Sequence, residues 1–197
     1  MLLVIGSYIW VWQSLGQKSS RLWNELMEAK INELLILTDD QIDYQSLPED
    51  TLKQLALNDE LFIATSALTE LSIRNSPCAA SVAWEILSQA HGDHHLQARA
   101  VEVLFEVNRK QAMDWIEQQV PECEPFMLNA IMELIIENES DFKFDPGLSI
   151  THLVIERLAE FDEETRASHL EVKSSFLKHF GYLRNWIRRQ RSPFGSI

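Results

Sequence analysis

The segment ALTELSIRN at residues 67–75 returns as AVEVLFEVN at 100–108 and as AIMELIIEN at 130–138, at offsets of 33 and 30 residues. Ala67, Leu71 and Asn75 thus recur as Ala100, Leu104 and Asn108, and again as Ala130, Leu134 and Asn138. Self-similarity of this period signals stacked helical units, because one such unit cannot bury its apolar face alone and needs a neighbour. Each part of the nonapeptide has a physical use. A small Ala lets a partner helix approach, and the Leu four residues on lies on the same face and fills the shared core. The closing Asn tolerates left-handed backbone or caps the following helix.

Apolar spacing of three and four extends this pattern along the chain. A helix is expected over Ser20–Leu37, broken by Thr38, Asp39 and Asp40, with an acidic loop to Leu47. Ser46-x-x-Glu49 has capping-box spacing and introduces a short helix ending near Asn58. Asn58 is the expected cap of Asp59–Arg74, and Ser76-Pro77 the start of Pro77–Ala90, with Pro at the first helical position. Asp93 caps His94–Val107, Asn108-x-x-Gln111 opens a helix toward Val120, and Glu124–Glu139 follows. After the turn Asp145-Pro146-Gly147, a helix from Ser149 or Thr151 reaches about Phe161 and another begins at Thr165. No run alternates convincingly with period two, so the class is all-α, with no sheet expected beyond at most a stray pair of strands.

The repeated nonapeptide resembles the HEAT-like repeats of α-solenoid proteins over Asp59–Asn138, with Leu153, Ile155 and Leu158 continuing the ridge. The resemblance implies a stack of antiparallel helix pairs; an irregular helical bundle is the alternative. Two departures stand out: an insertion at Glu139–Leu148, and N-terminal helices that do not fit the repeat. The expected organisation is one helical domain, 1–197, with capping helices at 1–58, helix pairs at 59–172 and a basic helix and tail at 173–197.

Apolar residues make up 46% of the chain, enough for a core without disulfides or a structural metal. Cys78 and Cys123 are the only cysteines and form no CxxC pair, which excludes a thiolate zinc ribbon and fits a reducing, cytoplasmic setting. Met1–Leu15 is apolar and uncharged, but shorter than the roughly 20 residues of a membrane span and without the basic start of a secretory signal. It reads as a core-packing first helix, with a membrane-associated anchor as the alternative.

Charge is the other informative property. The chain carries 17 basic and 30 acidic residues. Every charged residue from Lys173 onward (Lys173, Lys178, Arg184, Arg188, Arg189, Arg191) is positive, which leaves a net of −19 before it. An acidic body repels phosphate backbones and anionic lipid and attracts basic protein surfaces. In the tail, Phe180, Leu183, Trp186 and Ile187 recur at helical spacing and are expected to close the last layer while the arginines face out.

Candidate chemistry is sparse, and no dinucleotide, Walker, nucleophile-elbow or H-E-x-x-H motif occurs. His91, Asp93, His94 and His95 are types that suit zinc, but they crowd one turn rather than converge from rigid elements, so no metal or other cofactor is expected. Trp84 and Trp115 read as core. What remains is surface: Glu85, Asp114, Glu117, Glu160, Asp162, Glu163 and Glu164 fall on or after the second helices of the pairs, which in HEAT-like stacks line the concave face. A small, acidic, helical chain without catalytic motifs resembles the immunity proteins of bacterial contact-dependent inhibition systems. That resemblance implies a non-catalytic inhibitor whose partner is a basic toxin domain, such as a nuclease. An adaptor or assembly factor is the alternative. A third class, an enzyme like the HEAT-like DNA glycosylases or the repeat-containing pigment lyases, is disfavoured, since a DNA-acting stack needs a basic concave face.

Overall fold

A computed structural model of the chain describes residues 25–144, 147–165 and 172–180, and every regular element among them is helical. The helices are α1 (25–34), α2 (Glu49–Ala56), α3 (Leu61–Ile73), α4 (Ala79–Ser88), α5 (His94–Val107), α6 (Arg109–Gln119), α7 (Pro125–Glu137), α8 (Glu139–Phe142), α9 (Gly147–Glu160) and α10 (Lys173–Phe180). Short 3-10 turns span Asp39–Gln41, Tyr44–Ser46 and Val120–Glu122. No helix among the described residues is long and apolar enough to cross a membrane. The apolar run Met1–Leu15 and the tail residues Leu183, Trp186 and Ile187 lie outside the described residues. The chain divides into two compact units, Met1–Ser76 and Pro77–Ile197, and the boundary falls between the helices expected to form the first pair.

In the first unit α3 packs on α2. Leu52, Leu55 and Ala56 from α2 meet Ala64, Ala67, Leu68 and Leu71 from α3, all without exposure, while Met27, Ile31 and Leu34 of α1 are also buried. Each such large side chain contributes about 1.5–3 kcal/mol on burial. Arg74 closes the unit. Its guanidinium donates to the carbonyls of Tyr44, Gln45 and Leu47 at 2.7, 2.9 and 2.8 Å and to Glu70 Oε1 at 2.7 Å, so one side chain ties the 3-10 turn Tyr44–Ser46 and the residue after it to α3. The Tyr44 hydroxyl donates to Asp39 Oδ1 at 2.6 Å; burial first, and then the Asp39 carboxylate, push its ionisation well above the ordinary tyrosine range. Helix α3 ends with Asn75 left-handed at φ 51°, Ser76 N–H bonding Leu71 O and Asn75 N–H bonding Ser72 O. This is the six-to-one and five-to-two pattern of a Schellman end.

Two expected starts are corrected here. Ser46 does not cap α2: it ends a 3-10 turn with its Oγ donating to Asp43 O, and Pro48 occupies the N-cap. Asn58 takes the Glu60 N–H at 3.0 Å in a side-chain turn, and α3 starts at Leu61, behind Glu60. In both places a locally satisfied polar side chain diverts the backbone before the helix can begin.

In the second unit α5 is the hub, packing on α4, α6 and α7. Helix α4 begins at Ala79 behind Cys78 rather than at Pro77, and it ends in a second Schellman pattern with Ala90 left-handed at φ 50°. Asp93 caps α5 as expected, accepting Leu96 N–H at 3.0 Å. Asn108 alone joins α5 to α6. Its Oδ1 accepts Gln111 N–H at 3.4 Å and its Nδ2 donates to Gln111 Oε1 at 2.9 Å. The insertion after Asn138 is not a plain loop, since it holds α8, whose Phe142 is fully buried and stacks on Phe105 at 5.7 Å. Helix α9 starts at Gly147, earlier than Ser149, because Gly147 meets α8 backbone to backbone. The hydroxyl of Thr151, itself fully buried, donates to the carbonyls of Phe142 at 3.2 Å and Gly147 at 3.0 Å. Helix α10 packs on α7, and its Phe176 and Phe180 are both fully buried; of the four tail residues expected to close a layer, Phe180 alone lies among the described residues.

Candidate functional site

Helices α5 and α7 lie alongside each other in the same direction. His95 and Phe126, at their N-terminal ends, meet edge to face at 4.4 Å, and their C-terminal ends together wall one cleft. Helix α9 runs beside α6 and the 3-10 turn that continues it: Ser149 Oγ donates to Glu117 Oε1 at 3.3 Å, and two turns later Arg157 reaches Cys123 O.

This arrangement places most of the sequence-predicted carboxylates. Asp114 and Glu117 are exposed one turn apart on α6, and Glu160 is exposed at the end of α9. Asp162, Glu163 and Glu164 follow it, all exposed. Glu85 is half-buried on α4. Several of the seven are already engaged within the chain, among them Glu117 by Ser149, Glu160 by Arg157 Nη1 at 2.7 Å, and Asp162 by Thr165 N–H at 2.7 Å as the cap of a turn beginning at 163. Sequence reasoning missed Glu122 and Glu124, both exposed, which flank Cys123 beside the Arg157–Glu160 pair. It also missed Arg157 itself, which donates to Cys123 O at 2.9 and 3.2 Å and lies over the Phe161 ring at 4.6 Å. The i, i+3 spacing of Arg157 and Glu160 was the available signal. Cys123 is buried and its Sγ donates to Val120 O at 3.4 Å. Burial pushes this thiol up to about 11, against a smaller opposing pull from Arg157.

The cleft between α5 and α7 holds about 350 Å³. Arg99 pairs with Glu102 at 2.7 Å along one wall. Arg109, the first residue of α6, lies over the Phe105 ring at 4.9 Å and pairs with Asp141 of α8 at 3.0 Å. Next to it, Glu139 accepts from Lys143 Nζ at 2.9 Å and faces His179 Nδ1 at 3.4 Å, and its carboxyl is held below the usual range, chiefly by the Lys143 hydrogen bond.

The histidine turn has local tasks. Asp93 is committed to capping, and His94 and His95 are exposed beside the Phe126 ring. Among the described residues no three His, Cys, Asp or Glu side chains are grouped to hold a metal ion. Trp115 is buried as expected, whereas Trp84 corrects its core assignment: it is 38% exposed on α4, one position off the stripe formed by Val82, Ala83, Ile86 and Leu87.

The chain matches no protein-family model, no curated protein and no solved structure.

Proposed function

We propose that the chain is a non-catalytic protein-binding module, a HEAT-like stack of helix pairs, and that it acts as an immunity protein that neutralises a basic toxin domain such as a nuclease. The supporting observation is the side-by-side run of α6 and α9, along which Asp114, Glu117 and Glu160 stand exposed, with Glu122 and Glu124 on the segment that leads from α6 to α7. A toxin that acts on nucleic acid has to carry a cationic face for the phosphate backbone. A row of carboxylates is complementary to that face in charge, so it steers encounter and rejects acidic competitors. The exposed Trp84 offers an aromatic anchor of the kind that slows dissociation once desolvated.

The test is a search of the adjacent reading frames for a toxin, followed by association kinetics against that toxin domain with Asp114→Lys/Glu117→Lys beside the original protein; the absence of any toxin partner would count against the reading. Charge reversal should slow association by roughly a factor of ten at low salt. The difference should close as the screening length falls from about 8 Å at physiological ionic strength to about 3 Å at 1 M. Equal association rates at low salt would reduce the strip to a solubilising surface. Capture of a housekeeping complex, with no rescue of toxin-exposed cells, would favour the adaptor reading instead.

A further inference from the structure

Helix α3 is apolar on every side, yet only one side of it is covered. Ile63, Ala64, Ala67, Leu68 and Leu71 are buried in the first unit. On the other side Phe62 and Ile73 are 83% and 67% exposed. Three turns separate them, so they share one face about 16 Å apart. Thr65, Ser66 and Thr69 line the stripe between them, and each hydroxyl is engaged within the unit. Thr65 donates to Leu61 O and Thr69 to Thr65 O, both at 2.8 Å, and Ser66 bonds Tyr44. The one charged residue of α3, Glu70, is buried and paired with Arg74. The stripe is therefore ring, methyl and aliphatic surface without charge, on a helix whose composition is that of an element covered all round.

We propose that the apolar segment Met1–Leu15 covers this stripe of α3. Chemistry is the first reason: the segment lies in the longest uncharged run of the chain, and joining it to the stripe removes apolar surface from water on both sides without stranding a charge. Size is the second, since fifteen residues make a helix about 22 Å long, enough to lie along the whole stripe. Reach is the third. Helix α1 begins at residue 25, and its Met27 lies against Thr51 of α2 in the same unit as α3. The nine residues 16–24 can span up to about 30 Å, more than the roughly 20 Å width of two packed helices. A tether of that length holds the segment at an effective concentration in the millimolar range, well above that of a second copy of the chain in solution. Seated on α3, Met1–Leu15 takes the packed role and not that of a membrane anchor.

The test places p-benzoylphenylalanine, a photo-crosslinking side chain, at position 62 or 73 of the full chain and maps the adducts by mass spectrometry. Both positions face solvent, so the circular dichroism of the original protein should be kept. Within the monomer, adducts should fall in Met1–Leu15, and those from 62 and from 73 should map to opposite ends of it. Ile73→Glu should cut the yield from position 62 about tenfold, because an unpaired carboxylate resists burial. Adducts to a second copy, adducts confined to residues after Ser76, no adducts from either position, or a yield untouched by Ile73→Glu would each overturn the assignment. So would pelleting of the original chain with phosphatidylcholine vesicles, which would give the segment to a membrane. None of these outcomes involves Asp114 or Glu117, so the toxin-binding reading keeps its own kinetic test.

Discussion

Replacing Gly147 by Ala separates two expectations of opposite sign. Gly147 is helical and not left-handed, so on backbone grounds the change should stabilise the protein by about 0.4–1 kcal/mol by restricting the unfolded chain. The packing argues the reverse. A Cβ at this position would lie 2.6 Å from the Cα of Phe142 and closer still to the carbonyl oxygen of Asp141. Both are backbone atoms, and no rotamer change can move them. Helix α8 must then shift away from α9, and it carries Phe142, which is fully buried, stacked on Phe105, and bonded through its carbonyl to Thr151. Overpacking costs about 1–3 kcal/mol and the strained hydrogen bond about 1 kcal/mol more. Against the backbone gain, the net is a loss of about 1–3 kcal/mol. For a chain of this length each kcal/mol moves Tm by about 2–4 °C, so differential scanning calorimetry should find Gly147→Ala lower by about 2–12 °C. A Tm equal to or above that of the original protein would refute the close approach of α8 and α9.

Ala90→Gly should raise the urea midpoint, by about 0.5–1 kcal/mol of stability, since Ala90 closes α4 at φ 50° where Cβ is disfavoured; an unchanged or lower midpoint would argue against that left-handed end. Stability should also fall as pH rises from about 9 to 11. The unfolded chain gives up the Cys123 proton at the lower value and the folded chain at the higher, so in that window the unfolded state binds fewer protons. Urea titrations at pH 8 and pH 10 should show a steeper loss for the original protein than for Cys123→Ala, and parallel losses would contradict the burial of the thiol.

The helices were legible because their signals are local. Asp93 and Asn108 mark starts by side-chain chemistry that acts within a single turn, and the three-four apolar spacing needs no knowledge of a partner. The repeat was a looser guide. Ala67 and Ala100 are fully buried and Ala130 is only partly so. Its three asparagines do three different things. Asn75 is left-handed, Asn108 caps the next helix, and Asn138 donates back to Leu134 O at 2.9 Å. One residue type serves all three because its short amide both tolerates unusual backbone and bonds locally, so sequence identity here did not imply structural identity. The α5–α7 cleft was invisible for a different reason. Arg109, Phe105 and Asp141 are brought together by tertiary packing, and nothing in their spacing announces it.

The single-residue joints bear on how a chain like this can change in length. Asn108 is the entire connection between α5 and α6, and Asn138 that between α7 and α8. One residue inserted at Asn108 would turn α6 by about 100° about its axis, carrying Ala112, Met113, Trp115 and Ile116 off the core face they share. Insertions and deletions at these joints should therefore be lethal to the fold even where substitutions are mild. The four residues 57–60 between α2 and α3, half-buried at Leu57 and Asn58 and exposed at Asp59 and Glu60, are where added length can be absorbed.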